Sequence, residues 1–173
     1  MELLEQRDQW EATFRANWLA HLEKTGQIDW SLYNRPKNTV APAGKAINLA
    51  TSRIVLISSA GGYLPASQDP FDTQDPRGDY TIRTFPANVP FDQISYAHTH
   101  YNHDALNADP QVLMPLQHLA DLADEGIIGG VAPDMISFMG YQPDVIRVVD
   151  EMMPAILDAV EASGADAALV VPA

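Results

Sequence analysis

The chain has 173 residues, a length suited to a single domain, and its 46% hydrophobic and 19% charged residues are ordinary globular usage that favours neither a disordered nor a fibrous protein. Ten Lys and Arg against 23 Asp and Glu leave a net charge of −13 with no basic block, which argues against a nucleic-acid groove or an anionic membrane surface as partner. There is no Cys, so this sequence offers no disulfide, thiolate nucleophile, zinc–thiolate site or iron–sulfur ligation.

The opening residues, MELLE, lack the basic segment and apolar run of a secretory signal. The apolar runs at 54–57 and 167–172 fall far short of the roughly 20 residues of a membrane helix, so a cytoplasmic protein is expected. Residues 3–24 carry Leu3, Leu4, Trp10, Phe14, Trp18, Leu19 and Leu22 at intervals dominated by threes and fours, which predicts an amphipathic helix ending near Gly26. With two Trp on its apolar side, the segment 1–30 is expected to be an extra helix packed on the main domain or on a partner subunit.

A Pro-, Asn- and Gly-bearing loop follows at 34–45, and then RIVLISS at 53–59, a β-branched run with the pattern of a buried parallel strand closed by Ala60, Gly61 and Gly62. Residues 65–92 contain five Pro and many Asp and predict a long irregular excursion, with one edge strand at 80–84. A second strand is expected at 92–100, leading into a polar loop at 101–109. Val112, Leu113, Leu116, Leu119 and Leu122 form a helical stripe stopped by Gly126, in which Pro115 either starts the regular helix or kinks its first turn. A short strand at 127–131, a helix from Val145 to Val160 interrupted by Pro154, and a last strand at 167–171 complete the series. Strands alternating with helices predict a single α/β domain over 1–173: three layers, a mostly parallel sheet flanked by helices, and the extra N-terminal helix.

Three of the five His lie within six residues: His98, His100 and His103, with Asp104 adjoining. On a strand, His98 and His100 would share a face at a separation of roughly 6.6 Å, close enough to bind one metal, with His103 as third ligand. Zn or Fe suits such a set, and Asp104 adds an oxygen ligand or a partner that fixes an imidazole tautomer. These four residues are the expected catalytic group, and the three His the expected metal ligands. His21 and His118 read as structural.

In an open parallel sheet the binding crevice lies beyond the carboxyl ends of the strands, where the exits of the first, second and last strands converge. Ser59, Gly61 and Gly62 are the expected substrate-binding residues there. The glycine loop either presents N–H groups to a carboxylate or phosphate or forms a plain turn. It has neither Walker nor dinucleotide spacing, so no nucleotide cofactor is expected. The Asp residues at 69, 72, 75 and 79 read as turn residues.

The ordered series RIVLISSAGG (53–62), DPFD (69–72), GDY (78–80), ISYAHTHYNHD (94–104), DP (109–110), EGIIG (125–129) and APDMISFMG (132–140) resembles the selenoprotein B family of the glycine, sarcosine, betaine and D-proline reductases. The resemblance implies a subunit of a reductase that cleaves a carbon–nitrogen bond in a small amino acid or amine, with a selenocysteine or cysteine shortly after the strand at 167–171. This sequence contains no such residue. The resemblance therefore supports the fold and the His-bearing loop more than it supports reductive cleavage.

Three expectations follow. The first is a reductase-like protein binding a small-molecule amino acid or amine, as a homo-oligomer or as a subunit of a reductase-like complex. The second is a metal-dependent hydrolase or lyase in which His98, His100 and His103 activate water; HTHYNH has Asn102 where the related hydrolase motif has Asp. The third is a non-catalytic subunit that keeps the family fold.

Overall fold

The computed structural model describes residues 4–40, 44, 46–99 and 101–173. The chain divides into two units, Met1–Lys45 and Ala46–Ala173, each with its own internal packing.

In the first unit, α1 (Arg7–Phe14), a π-helical turn (Arg15–Leu19) and α2 (Ala20–Thr25) run on as one helix. Gly26, at φ 68°, ends it in a left-handed conformation that glycine adopts without a Cβ clash. Trp10, Phe14 and Trp18 are spaced four apart, so their rings stack in a column with centroids 5.0 Å apart at each step. Tyr33 meets Phe14 and Trp18 edge-on at 5.6 and 5.4 Å, and the Trp10 indole N–H donates to the Asn34 carbonyl at 2.8 Å. The Glu5 carboxylate accepts hydrogen bonds from the hydroxyl and amide of Thr39 and the amide of Val40. These bonds, the Thr39 hydroxyl foremost, hold its carboxyl below the usual carboxylate range.

The second unit is built on β1 (Arg53–Ser58), followed by β2 (Gly62–Tyr63), β3 (Arg83–Pro86), β4 (Ser95–Tyr96), α3 (Asp104–Ala108), α4 (Leu116–Asp124), β5 (Gly130–Val131), β6 (Asp134–Ser137), α5 (Val145–Arg147), α6 (Met153–Ser163) and β7 (Ala167–Val171). Along one side β1 pairs in parallel with β7, from Ile54 opposite Ala167 to Ser58 opposite Val171. Along the other it pairs in parallel with β5 and then β6, and β3 closes that edge antiparallel to β6. Alternation along β1 sends Ile54 and Leu56 into a core with Leu116 and Leu119, and Val55 and Ile57 into a core against Ile156 and Val160 of α6. Helices thus cover both faces of a mostly parallel sheet, the α/β arrangement the periodicities predict.

Proline placement explains the helix starts. Pro115 lacks an N–H and occupies the N-cap, so α4 begins at the next residue. Before Pro154 the helix widens into a π turn, Val148–Met152, which relieves the ring of the ordinary α-helical partner four residues back. Asp144, 5% exposed, caps α5 by accepting from the amides of Ile146 and Arg147.

Two expectations are corrected. The segment 92–100 does not join the main sheet: among its described residues Ser95–Tyr96 form a strand, which pairs antiparallel with β2 in a separate two-stranded ribbon. The place beside β1 is taken by β6, whose Met135, Ile136 and Ser137 are almost wholly buried. The edge strand expected at 80–84 is displaced to Arg83–Pro86, because Tyr80 instead turns inward, 4% exposed, accepting from the Asp144 amide at 2.7 Å and donating to the Arg77 carbonyl. The Asp-rich excursion is held by turn bonds as expected: Asp72 accepts from the Gln74 amide, Asp75 from that of Arg77 and Asp79 from that of Thr81. Among the described residues no helix is long and apolar enough to cross a membrane.

Candidate functional site at the carboxyl edge of the sheet

The exits of β1, β6 and β7 converge at Ser59. Its amide donates to the Val171 carbonyl (3.1 Å), its carbonyl accepts from the Gly140 amide (3.1 Å), and its hydroxyl oxygen accepts from the Ala173 amide (2.7 Å). The neighbouring serines serve the same loops. The Ser58 hydroxyl donates to the Leu113 carbonyl, and the Ser137 hydroxyl accepts from the Gly62 amide, each at 2.8 Å. Three serines at most 7% exposed at the end of a sheet are therefore accounted for by the loop amides and carbonyls they satisfy.

The glycine loop contributes space. The Gly61 amide is donated to the Phe138 carbonyl at 2.9 Å and the Gly62 amide to Ser137, so neither N–H is presented to a ligand. Gly61 sits at φ 68°, and a Cβ there would lie 2.9 Å from both the Cβ and the backbone nitrogen of His98. On the other side, a Cβ at Gly140 would lie 2.9 Å from His98 Nε2 and 3.2 Å from Ser59 Oγ. Gly61 thus makes room for the backbone of His98 and Gly140 for its imidazole, and His98 is 4% exposed.

Beyond β4 the chain does not continue extended. The Ala97 amide donates to the Gly61 carbonyl at 3.0 Å, and the segment then folds back so that His103 Nε2 meets the His98 carbonyl at 2.7 Å. His98 therefore does not lie on a strand of the main sheet, and His100 lies outside the described residues. A carbonyl only accepts, so Nε2 of His103 carries a proton, and Nδ1 is the nitrogen this bond leaves over. Tyr101 organises the loop: its hydroxyl donates to the Ala60 carbonyl at 3.0 Å, its ring stacks on His103 at 4.5 Å, and it meets His98 edge-on at 5.1 Å. Burial pushes the Tyr101 phenol up to about 12, with Tyr96 adding to the effect, so it stays a donor at neutral pH. Asp104 opens α3 at the surface, its carboxylate accepting from the Asn102 amide group at 3.2 Å.

The structure thus brings Ser59, Gly61, His98 and His103 together and leaves Asp104 on the exposed side of the loop. Among the described residues no group of three or more His, Asp or Glu is arranged to hold a metal ion. Sequence reasoning passed over Tyr101 and Gly140. Tyr101 was readable as the aromatic inside the His run, whereas Gly140 is meaningful only once β6 is known to end beside β1. Beside His103 lies a shallow cleft of about 420 Å³, lined in part by Ser95, Tyr96, Leu106 and Asn107.

These features define an open α/β domain whose strand exits clamp a histidine-bearing loop. The sequence matches the family described as Glycine/sarcosine/betaine reductase selenoprotein B over residues 26–172, and the chain belongs to that family. It is similar to the D-proline reductase subunit gamma of Acetoanaerobium sticklandii, 28% identical over 117 residues that make up 68% of this chain and 47% of that protein. The chain thus spans about half the length of the curated relative it matches. No solved structure matches the chain significantly.

Proposed function

We propose that this chain is a subunit of a reductase that acts on a small amino acid or related amine, and that the ligand binds at the carboxyl edge of the sheet around His98, Tyr101 and His103. The observation that carries the reading is the family match, which runs through every strand and helix of the second unit and includes the clamped loop. The geometry is consistent with it: Gly61 makes room for the His98 backbone, and Gly140 and Tyr101 bracket its buried imidazole. No redox-active thiol or selenol is available among these 173 residues, so the role argued for this chain is binding and orienting the ligand. The electron-transferring group then belongs to another part of the enzyme.

The test is equilibrium binding. Purified full-length chain titrated calorimetrically with glycine, sarcosine, betaine and D-proline is expected to bind at least one of the four, with affinity reduced about tenfold or more by His98→Ala, the loss typical of one charge-assisted contact. Heat signals indistinguishable from dilution for all four would reject the reading.

A further inference from the structure

The two edges of the main sheet are finished differently. At one edge β3 carries Arg83 and Pro86, a charge and a residue without an N–H, both of which discourage the addition of another strand. At the other edge β7 pairs with β1 and, among the described residues, with no other strand. Its sequence, AALVV, has no charge and no proline, and its register against β1 runs without a bulge. Leu169 is 38% exposed and Val170 60%, although parallel strands are ordinarily covered on both faces. No residue of α6, the helix that leads into β7, is fully buried, and Leu157 is left exposed. An uncharged apolar edge of this kind is a template for a further strand.

The backbone of β7 fixes which groups are on offer. The Val171 carbonyl accepts from the Ser59 amide, so it faces β1. Residues of a strand alternate in the edge to which their N–H and C=O point; Ala167 and Leu169 therefore also face β1, and the N–H and C=O of Ala168 and Val170 face away from the sheet. An antiparallel copy of β7, centred on Leu169, satisfies all four groups: Ala168 exchanges two hydrogen bonds with Val170 of the second copy, and Val170 two with Ala168. The same register sets Ala167 against Val171, so each off-centre pair joins a small side chain to a larger one. Centring on Ala168 would bring Asp166 opposite Val170, and centring on Val170 would bring Pro172, which has no N–H, opposite Ala168.

Charge favours the same strip. Residues 46–173 hold 17 Asp and Glu against four Arg and no Lys, so two such domains repel each other over most of their surface. Asp166 is the one charged residue beside β7, and its carboxylate already accepts from the Arg53 amide at 2.8 Å. In the Leu169-centred register the two Asp166 residues stand on the order of 20 Å apart, well beyond the screening length of about 8 Å.

We infer that β7 is a dimerisation edge, at which two copies of the chain join strand to strand, antiparallel about a twofold axis at Leu169, and merge their five-stranded sheets into one. A twofold contact uses the same patch on both copies and closes on itself, which removes the open edge without leading to a fibre.

The test is sedimentation equilibrium of the full-length chain and three variants. The unaltered chain is expected to be a dimer that tightens as salt screens the like charges of the two copies. Val170→Lys, at a position exposed in the single chain, is expected to be monomeric with an unchanged circular-dichroism spectrum. Because the chain has no Cys, one introduced thiol reports the register. The two Leu169 residues would form a non-hydrogen-bonded pair with Cα atoms about 4.5 Å apart, within disulfide reach, so Leu169→Cys is expected to give a covalent dimer under mild oxidation. Ala167→Cys, whose counterpart would lie four residues along and roughly 13 Å away, is expected not to. A monomeric unaltered chain, an association that loosens with salt, a dimer indifferent to Val170→Lys, or cross-linking of Ala167→Cys as fast as that of Leu169→Cys would overturn the inference.

Discussion

Replacing Gly61 by Ala separates a glycine that makes room for His98 from one that merely turns the chain. At φ 68° an L-residue costs about 1–2 kcal/mol in backbone sterics. The new Cβ would in addition lie 2.9 Å from His98 Cβ and from its backbone nitrogen, which forces a displacement of the kind that costs about 1–3 kcal/mol in packed interiors. The sum is about 2–5 kcal/mol. Gly126 supplies the control, since its φ is 71° and nothing lies within 4 Å of a Cβ built there, so Gly126→Ala should lose only the backbone share. Entropic gains in the unfolded chain are common to both changes and cancel in the comparison. Urea unfolding followed by circular dichroism, with m-values checked for constancy, measures the difference, and the His98 ring resonances should shift in Gly61→Ala alone. Equal losses with an undisturbed His98 signal would refute this role of Gly61.

Further outcomes follow from the structure. Gly140→Ala should displace the His98 imidazole, with a cost of about 1–3 kcal/mol and a changed His98 resonance, because its Cβ would stand 2.9 Å from Nε2. Tyr101→Phe should cost about 1 kcal/mol through the lost bond to Ala60, measured by denaturation. For the phenol itself, burial disfavours the anion and raises the folded-state pKa from 10.0 to about 12, so its contribution is complete below pH 10 and is lost as the pH rises towards 12. Spectrophotometric titration should therefore show Tyr96 and Tyr101 ionising near pH 12, and the Tyr101 step missing in Tyr101→Phe. Asp144→Ala should cost about 1–2 kcal/mol through the uncapped amides of Ile146 and Arg147, and Phe85→Ala, 2% exposed opposite Met135, about 3–5 kcal/mol, each read from urea midpoints.

The elements legible in the sequence were those with a long period or an unambiguous terminator. The helix column of Trp10, Phe14 and Trp18, the strand Arg53–Ser58, the helix opened by Pro115 and the helix closed by Gly164 all declare themselves by spacing or by a residue with a fixed backbone preference. The strand Asp134–Ser137 was illegible because four residues carry no measurable period and Pro133 immediately precedes them. Missing it left the segment 92–100 as the expected second strand, whereas β6 is the strand that pairs with β1 at Ile57 and Ser58. The His run was correctly singled out by composition. Its geometry depends on bonds to residues far away in sequence, Ala60 and Gly61 above all, and no local pattern encodes those. The glycines at 61 and 62 illustrate the same limit: sequence offers ligand cradle and plain turn as equals, and only the position of His98 gives Gly61 its purpose as a spacer.

The most direct test of the central claim is chemical-shift mapping of the isotopically labelled full-length chain during titration with the amino-acid panel. The account predicts that the perturbed amides cluster around Ser59, Tyr101, His103 and Asn107, and that His98→Ala abolishes the response. Shifts concentrated instead around Ala87, Leu116 and Asp134, which line the larger apolar cavity, or no shifts at all, would contradict it.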